Sequence, residues 1–181
     1  MESVGFKEWA IVCEALGRGE QCILLRKGGI AEGRAGFGFR HAEFCLFPTF
    51  FHEQAAKTRV AEAELPAQRP GEIEIKFFVK VEHAMLLDSW EAAVALAPLH
   101  ILKQEVVRER FDYDAAPAIH VAFVRVFRLE PSWCLPDARE FGGCRSWVEL
   151  PEVSEQRRMK SVVRDEEHAR NAEEFRAITK L

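Results

Sequence analysis

The chain has 181 residues, of which 48% are hydrophobic, and it carries a formal net charge of −4. This length suits one domain that can bury a core without disulfides or metals. The acidic balance excludes the general surface basicity of many nucleic-acid-binding proteins. No apolar run approaches the ~18 residues that a membrane span needs, so we expect no membrane association.

The predicted elements alternate irregularly between strands and helices. In chain order they are a helix over 6–16, a strand over 21–26, a glycine-rich loop over 27–40, a strand over 43–47, a helix over 50–64, a strand over 73–82, helices over 88–97 and 105–111, and strands over 118–129 and 145–150. Gly17 can end the first helix, and Thr49 and Asp88 are candidate helix caps. Pro131 and Pro136 indicate a loop.

Two of the predicted strands suggest how the sheet is covered. Residues 73–82 alternate strictly between apolar and polar, which predicts one buried face. Residues 118–129 have an almost continuous apolar middle, as expected for a central strand. We therefore predict an α+β fold: a small curled or barrel-like mixed sheet of about five strands, flanked by short helices and followed by a C-terminal helix.

The last part of the chain differs in composition from the rest. Residues 1–152 are predicted to form a single α+β domain, and residues 153–181 a charged helical tail. The tail has only a thin apolar stripe. It fits a helix packed on the body, a homodimer contact through that helix, or a solvated terminus.

The five cysteines and the N-terminal residues favour a cytoplasmic protein without disulfides. The cysteines are odd in number and never have C-x-x-C spacing, which argues against a zinc ribbon. Most have apolar neighbours, so we expect reduced thiols in the core. The first residues lack a basic segment followed by an apolar one, so we expect no signal peptide.

The loop over 27–40 and its flanking strands form the clearest candidate binding element. Between Arg18 and Arg40 there are five basic and two acidic residues, a local excess of positive charge in an acidic chain. Glycines allow the backbone to approach an anion closely. The sequence has neither the G-x-x-x-x-G-K-[ST] nor the G-x-G-x-x-G pattern. We predict that four cations contact phosphate here: Arg26, Lys27, Arg34 and Arg40.

Aromatic residues near these cations would stack on a base. The candidates are Phe37 in the loop and Trp147, which follows a Gly142-Gly143-Cys144-Arg145-Ser146 segment. In nucleic-acid-binding proteins such rings stack on exposed bases while arginines contact phosphate. The alternative is that both rings fill the core.

A metal-dependent hydrolase or nuclease is the alternative function. His41, Glu43, His52 and Glu53 supply two imidazoles and two carboxylates, which suit a divalent metal or acid–base chemistry. Their spacing matches no standard motif, so we expect neither a metal nor another cofactor. The Glu74-Ile75-Lys76 triplet resembles a nuclease motif but is also common on exposed strand faces. Whether the protein is an enzyme stays open.

Several segments resemble a bacterial family catalogued as domain of unknown function 1802. They are EWA at 8–10, EAL at 14–16, LLRKGGI at 24–30, EFCLFPT at 43–49 and GGCRSWVEL at 142–150. The resemblance covers about residues 5–150. Relatives that occur beside restriction-endonuclease-like domains imply a role in handling or sensing DNA.

The order of elements is also similar to that of PUA-like domains, the group that contains the ASCH and EVE readers. Those are small β-barrels that bind RNA or modified bases. Residues 19–26 keep the glycine and arginine of their G-x-K-x-x-E-x-R motif but not its other residues. Together the resemblances imply a bacterial, cytoplasmic module that binds DNA, RNA or a modified nucleotide and is associated with DNA restriction or processing.

Overall fold

The computed structural model describes residues 3–27, 37–61, 65–152 and 157–181, and its centre is a mixed sheet with seven strands in these ranges. The elements are β1 (Val4–Trp9), α1 (Ala10–Arg18), β2 (Ile23–Arg26), β3 (Glu43–Thr49), β4 (Glu72–Leu87), α2 (Trp90–Ala95), α3 (Gln104–Phe111), β5 (Ile119–Pro136), β6 (Trp147–Glu149), β7 (Arg158–Ser161) and α4 (Asp165–Thr179). Short 3₁₀ helices cover Ala55–Lys57, Ala97–Leu99 and Arg139–Phe141.

The strands follow the order β2-β5-β4-β3-β1-β6, and β7 pairs with β5. Among the described strands, β1 and β3 alone pair in parallel, and the other pairs are antiparallel. The long β4–β5 ladder contains register shifts between Ile75 and Phe77 and between Val81 and His83, where the strands bend. The predicted α+β class, with short helices around a mixed sheet and a C-terminal helix, is confirmed.

Two apolar clusters lie on opposite faces of the sheet. On β3, Phe44 and Leu46 belong to the larger cluster, while Cys45 and Phe47 belong to the smaller one. This alternation follows from the two-residue period of a strand. The larger cluster also contains most of the buried apolar residues of α1 and all those of α3. Phe141 and Trp133, near the other end of the β4–β5 ladder, belong to the smaller cluster.

The C-terminal segment packs on the larger cluster. Phe175 of α4 is fully buried and stacks on Phe123 of β5, with ring centroids 5.3 Å apart. His168 lies 5.1 Å from the same ring, and its Nε2 is 2.8 Å from Glu82 Oε1. Arg125 of β5 pairs with Asp165 at the start of α4. The helix is therefore held by apolar burial and by two polar contacts to the long strands.

The predicted helix over 6–16 is wrong in its first half, where β1 forms instead. Pairing with β3 on one edge and β6 on the other outweighs the helical spacing of the apolar residues. Gly17 does not end α1, which runs to Arg18 and is followed by Gly19 at a φ of 78°. Gly17 instead provides space for the ring of Phe77.

The predicted helix over 50–64 is also wrong, because Gln54 stabilises a compact turn. Its side chain accepts the N–H of Ile11 at 3.1 Å and donates to the carbonyl oxygen of Thr49 at 2.7 Å. Thr49 donates its hydroxyl to the carbonyl of Glu8 instead of capping a helix. Within residues 51–61, the structure has only one short 3₁₀ helix, Ala55–Lys57. Residues 62–64 lie outside the described residues.

Three further details differ from the sequence predictions. Ser89 rather than Asp88 caps α2, accepting the Ala92 N–H at 3.2 Å. Pro131 and Pro136 lie within β5 rather than in a loop, so this strand is longer than its apolar middle indicated. The short strand β7 was not predicted. No helix among the described residues is long and apolar enough to cross a membrane.

Three of the five cysteines lie in the core, as the sequence predicted for most of them. Cys13, Cys22 and Cys45 are buried, while Cys134 and Cys144 are exposed. Burial raises the pKa of the Cys22 thiol and of the Cys45 thiol to about 12, and it also raises the pKa of Cys13. The buried thiols are therefore protonated and weakly reactive.

Gly17→Ala is expected to destabilise the protein by about 1–3 kcal/mol, although alanine is normally the better helix residue by about 0.5–1 kcal/mol. A Cβ at this position would lie 1.9 Å from Cζ of Phe77. Urea denaturation measures the difference. Gly38→Ala, where no atom lies within 4 Å of the added Cβ, serves as the control. Equal stabilities of the two variants would contradict the packing argument.

His100 is expected to make stability depend on pH. It is 2% exposed, and its Nδ1 accepts the Leu102 N–H, so the neutral ring carries its proton on Nε2. Burial, followed by the charges of Arg59 and Arg110, lowers the pKa of His100 to about 3. The unfolded chain, with a histidine pKa of about 6.5, then binds a proton that the folded protein does not between these two values.

His100 should therefore lower the free energy of unfolding by about 1.4 kcal/mol for each pH unit below about 6.5, until the pKa of the folded state is reached. In His100→Asn, an amide oxygen can still accept the Leu102 N–H, but the side chain at this position does not titrate. Urea denaturation at a series of pH values should give a shallower loss for this variant, with circular dichroism verifying its fold. Parallel curves for the two proteins would show that His100 is not responsible.

Candidate nucleic-acid interface

Two consecutive cations lie at the end of β2 and reach different aromatic residues. Arg26 donates from Nη2 to Ser146 Oγ at 3.1 Å, and its Cζ is 5.3 Å from the ring centroid of Phe6. Lys27 places its Nζ 4.1 Å from the ring centroid of Tyr113. The two cations therefore contact rings from different elements: Arg26 contacts Phe6 of β1, and Lys27 contacts Tyr113 in the turn after α3.

Lys7 of β1 fixes the segment that carries Arg145 and Trp147. Its Nζ donates to the carbonyl oxygens of Gly142 at 3.2 Å and Gly143 at 2.9 Å. Its backbone N–H donates to the carbonyl of Ser146 at 2.8 Å. One residue of β1 therefore holds both ends of this turn.

Trp147 is half-buried at the start of β6, within a group of rings. Its ring centroid lies 4.9 Å from that of Phe6, 5.1 Å from Phe44 and 4.7 Å from His41. Its indole Nε1 is buried and has no hydrogen-bond partner among the described residues. The indole is thus held firmly by its neighbours while part of it stays accessible.

Trp147 also lines an open cleft of about 700 Å³. His41 and Arg145 line the same cleft, and so do the carboxylates of Glu140 and Glu149. This volume lies within the ~300–1,000 Å³ that is typical of small-molecule sites. The cleft therefore offers an aromatic ring, an imidazole and an exposed guanidinium in a space that suits a nucleotide.

Positive charges crowd together behind this cleft. The pKa of Lys7 is lowered, first by burial and then by the charges of Arg145 and Arg26, while Cys144 acts in the opposite direction. Like charges at close range repel one another, and a bound anion would relieve this repulsion. Arg26 and Arg145 therefore add positive potential next to Lys7, while the carboxylates of Glu140 and Glu149 line the cleft itself.

Arg110 of α3 supports the end of β2 from inside the protein. Its buried guanidinium donates from Nη1 to the carbonyl oxygen of Leu25 at 2.6 Å and lies 4.7 Å from the ring centroid of Trp9. Burial lowers the pKa of Arg110, while the nearby buried Glu8 raises it. This contact determines where the next residue, Arg26, leaves the sheet.

The structure brings together some of the residues singled out in the sequence. Arg26 and Trp147 both contact the ring of Phe6, and Arg40 is exposed directly before the cleft residue His41. Phe37 is only 4% exposed, and its ring packs against Phe6, Phe39 and His120, so its faces are covered by protein. Arg34 lies outside the described residues.

The metal-site candidates take other roles in the described structure. His41 contacts Trp147, and Glu43 forms an ion pair with Lys80 at 2.8 Å. His52 and Glu53 are exposed in the turn after β3. Among the described residues, no group of three or more His, Cys, Asp or Glu side chains could hold a metal ion.

The Glu74-Ile75-Lys76 triplet forms polar contacts on the sheet. Lys76 Nζ lies 2.7 Å from Glu14 Oε1, and Ser132 donates its hydroxyl to Glu74 at 2.7 Å. These contacts fit the exposed strand face that the alternation predicted.

Two residues at this interface, Lys7 and Tyr113, were absent from the sequence prediction. Lys7 fell within a predicted helix, and its partners at Gly142 and Gly143 are more than 130 positions away in the chain. Tyr113 is the single tyrosine of the sequence, but no local pattern connects it with Lys27.

Lys7→Met is expected to loosen the 142–147 segment, because two turn carbonyls lose a charged donor, an interaction worth about 1.5–3 kcal/mol. Amide hydrogen exchange measured by mass spectrometry should become at least about tenfold faster there. Lys80→Met is the matched control, since Lys80 pairs with Glu43 on β3. Equal protection of this segment in both variants would show that Lys7 does not hold the turn.

Solved structures with a related fold come from Zymomonas mobilis. The crystal structure of ASCH from that organism is 12% identical, and the alignment covers 93% of this chain and 92% of that chain with a TM-score of 0.50. A mutant form of the same protein is also 12% identical, with 94% of each chain covered and a TM-score of 0.48. At this identity the likeness concerns the fold alone. No curated protein shows a significant match.

A family model described as "Domain of unknown function (DUF1802)" matches residues 5–174. The match extends beyond the 5–150 range recognised in the sequence and includes most of α4. Because it covers nearly the whole chain, this protein belongs to the DUF1802 family.

Proposed function

We propose that this protein binds nucleic acid or a modified nucleotide in the cleft beside Trp147. The observation that carries the proposal is the convergence of Lys7, Arg26 and Arg145 next to a half-buried indole. Guanidinium groups form charge-assisted hydrogen bonds with phosphate. An indole provides a stacking surface for any base.

The shape of the site and the similarity of the fold support this function. The cleft of about 700 Å³ has room for a nucleotide. The ASCH fold similarity agrees with the PUA-like resemblance seen in the sequence, and that group binds RNA or modified bases. Fold similarity alone is weak evidence of function, so the cationic and aromatic residues carry the argument.

The proposed contact set contains residues of two kinds. Arg26 and Arg145 contact phosphate close to the base, and Lys27 and Arg40 extend the positive surface. Arg34 lies outside the described residues and belongs to this set from the sequence alone. From the family resemblance we further propose a cytoplasmic role associated with DNA restriction or processing. A homodimer through the C-terminal helix belongs to the same set of proposals.

Arg145→Ala is expected to weaken binding across sequences and to reduce its salt dependence. With about three phosphate contacts on a single strand, log K should fall with log[salt] at a slope near −2, and losing one contact should change this slope by about 0.7. Fluorescence anisotropy with labelled single-stranded RNA, single-stranded DNA and duplex DNA of one sequence measures both quantities.

Arg170→Ala, which removes an exposed arginine from α4, is the matched control and should bind like the wild-type protein. If none of the labelled nucleic acids binds, or if Arg145→Ala and Arg170→Ala change affinity equally, the proposed site is wrong.

A further inference from the structure

We propose that Tyr113 and Lys27 form a second base-stacking position, so that the ligand is a single-stranded polynucleotide crossing the end of β2. This inference rests on the proposed function of the Trp147 cleft. It adds a binding site at Tyr113, in the turn after α3, and specifies a ligand longer than one nucleotide.

The first observation is the geometry at Tyr113. The side chain lies in the turn after α3 and is 37% exposed, while the Lys27 ammonium sits 4.1 Å from the ring centroid. A cation and an exposed ring in contact provide what one nucleotide needs, namely a partner for its phosphate and a surface for its base. The neighbouring carboxylate of Asp112 pairs with Arg108, which neutralises part of the local negative charge.

The second observation is the continuity of the chain between the two positions. Arg26 and Lys27 are adjacent in sequence. Arg26 contacts Ser146 and Phe6, which are both neighbours of Trp147. Lys27 contacts the ring of Tyr113. A phosphodiester backbone that passes over the end of β2 would therefore meet two adjacent cations, each in contact with a different ring.

The third observation is a row of rings that separates Trp147 from the Tyr113 turn. Successive centroid distances are 4.9 Å from Trp147 to Phe6, 6.1 Å from Phe6 to Phe37, and 5.2 Å from Phe37 to His120.

His120 is opposite Arg26 in the β2–β5 ladder, which places this row beneath the strand end. Burial lowers the pKa of His120, and the nearby carboxylate of Asp114 raises it. Asp114 follows Tyr113 in the chain, so the row ends near the Tyr113 turn.

One base cannot stack on two rings that lie at opposite ends of this row. Simultaneous use of Trp147 and Tyr113 requires at least two nucleotides, with the linking phosphates near Arg26 and Lys27. A base-paired duplex would keep its bases stacked on each other and away from both side chains. The geometry therefore favours an unpaired strand over a mononucleotide or a duplex.

The test measures affinity against ligand length. Labelled oligouridylates and oligothymidylates of one, two, four and eight nucleotides are titrated by fluorescence anisotropy against the wild-type protein, Tyr113→Ala, Tyr113→Phe and Trp147→Leu. Wild-type affinity should increase from one nucleotide to the longer probes. Tyr113→Ala should lose about 5- to 150-fold on the longer probes while leaving the single nucleotide unaffected. Tyr113→Phe should retain most of the affinity.

The outcomes separate this inference from the function on which it rests. Trp147→Leu should weaken binding at every length, since it alters the shared cleft. If Tyr113→Ala binds all lengths like the wild-type protein, or if one nucleotide binds as tightly as eight, the second position is refuted and the cleft remains. If no probe binds the wild-type protein, the proposed function and this inference both fail.

Discussion

The antiparallel ladder between β4 and β5 is the constraint on which the other elements depend. On its other edge, β5 pairs with β2 near its start and with β7 near its middle, while β4 pairs with β3. The ladder fixes the position of β2, because Arg26 must lie opposite His120. The position of the candidate interface therefore depends on the ladder of β4 and β5. These two strands do not carry the main cations of the interface, but β5 sets the register of β2, which carries Arg26.

The position of β1 explains how distant charges come together. This strand pairs in parallel with β3 and antiparallel with β6, so Lys7 reaches the turn that precedes Trp147. Burial lowers the pKa of Lys7, and the charges of Arg145 and Arg26 lower it further, while the carbonyls of Gly142 and Gly143 accept hydrogen bonds from its Nζ. Perturbed charges of this kind are more frequent at functional sites than elsewhere.

The sequence was sufficient for elements whose signals are local. The alternation in β4 and the apolar run in β5 predicted those strands, and short apolar segments predicted β2, β3 and β6. The sequence was insufficient where tertiary contacts decide which secondary-structure element forms. Helical spacing in residues 6–9 was overridden by pairing on both edges of β1, and the side chain of Gln54 replaced a predicted helix with a turn. Arg26 and Trp147 were recognisable from charge and aromatic character, but their shared neighbours Phe6 and Ser146 were not.

The net charge of −4 affects how such an interface can work. An acidic protein does not attract a polyanion from a distance, so few phosphate contacts contribute and counterion release supplies a limited share of the affinity. The remainder must come from short-range contacts, of which base stacking is the strongest that does not depend on sequence. The buried rings of Phe6 and Phe44 hold the neighbouring indole in place, which lowers the entropic cost of stacking. Core packing and ligand binding therefore depend on the same group of rings, and this is why the interface lies at the edge of the larger apolar cluster.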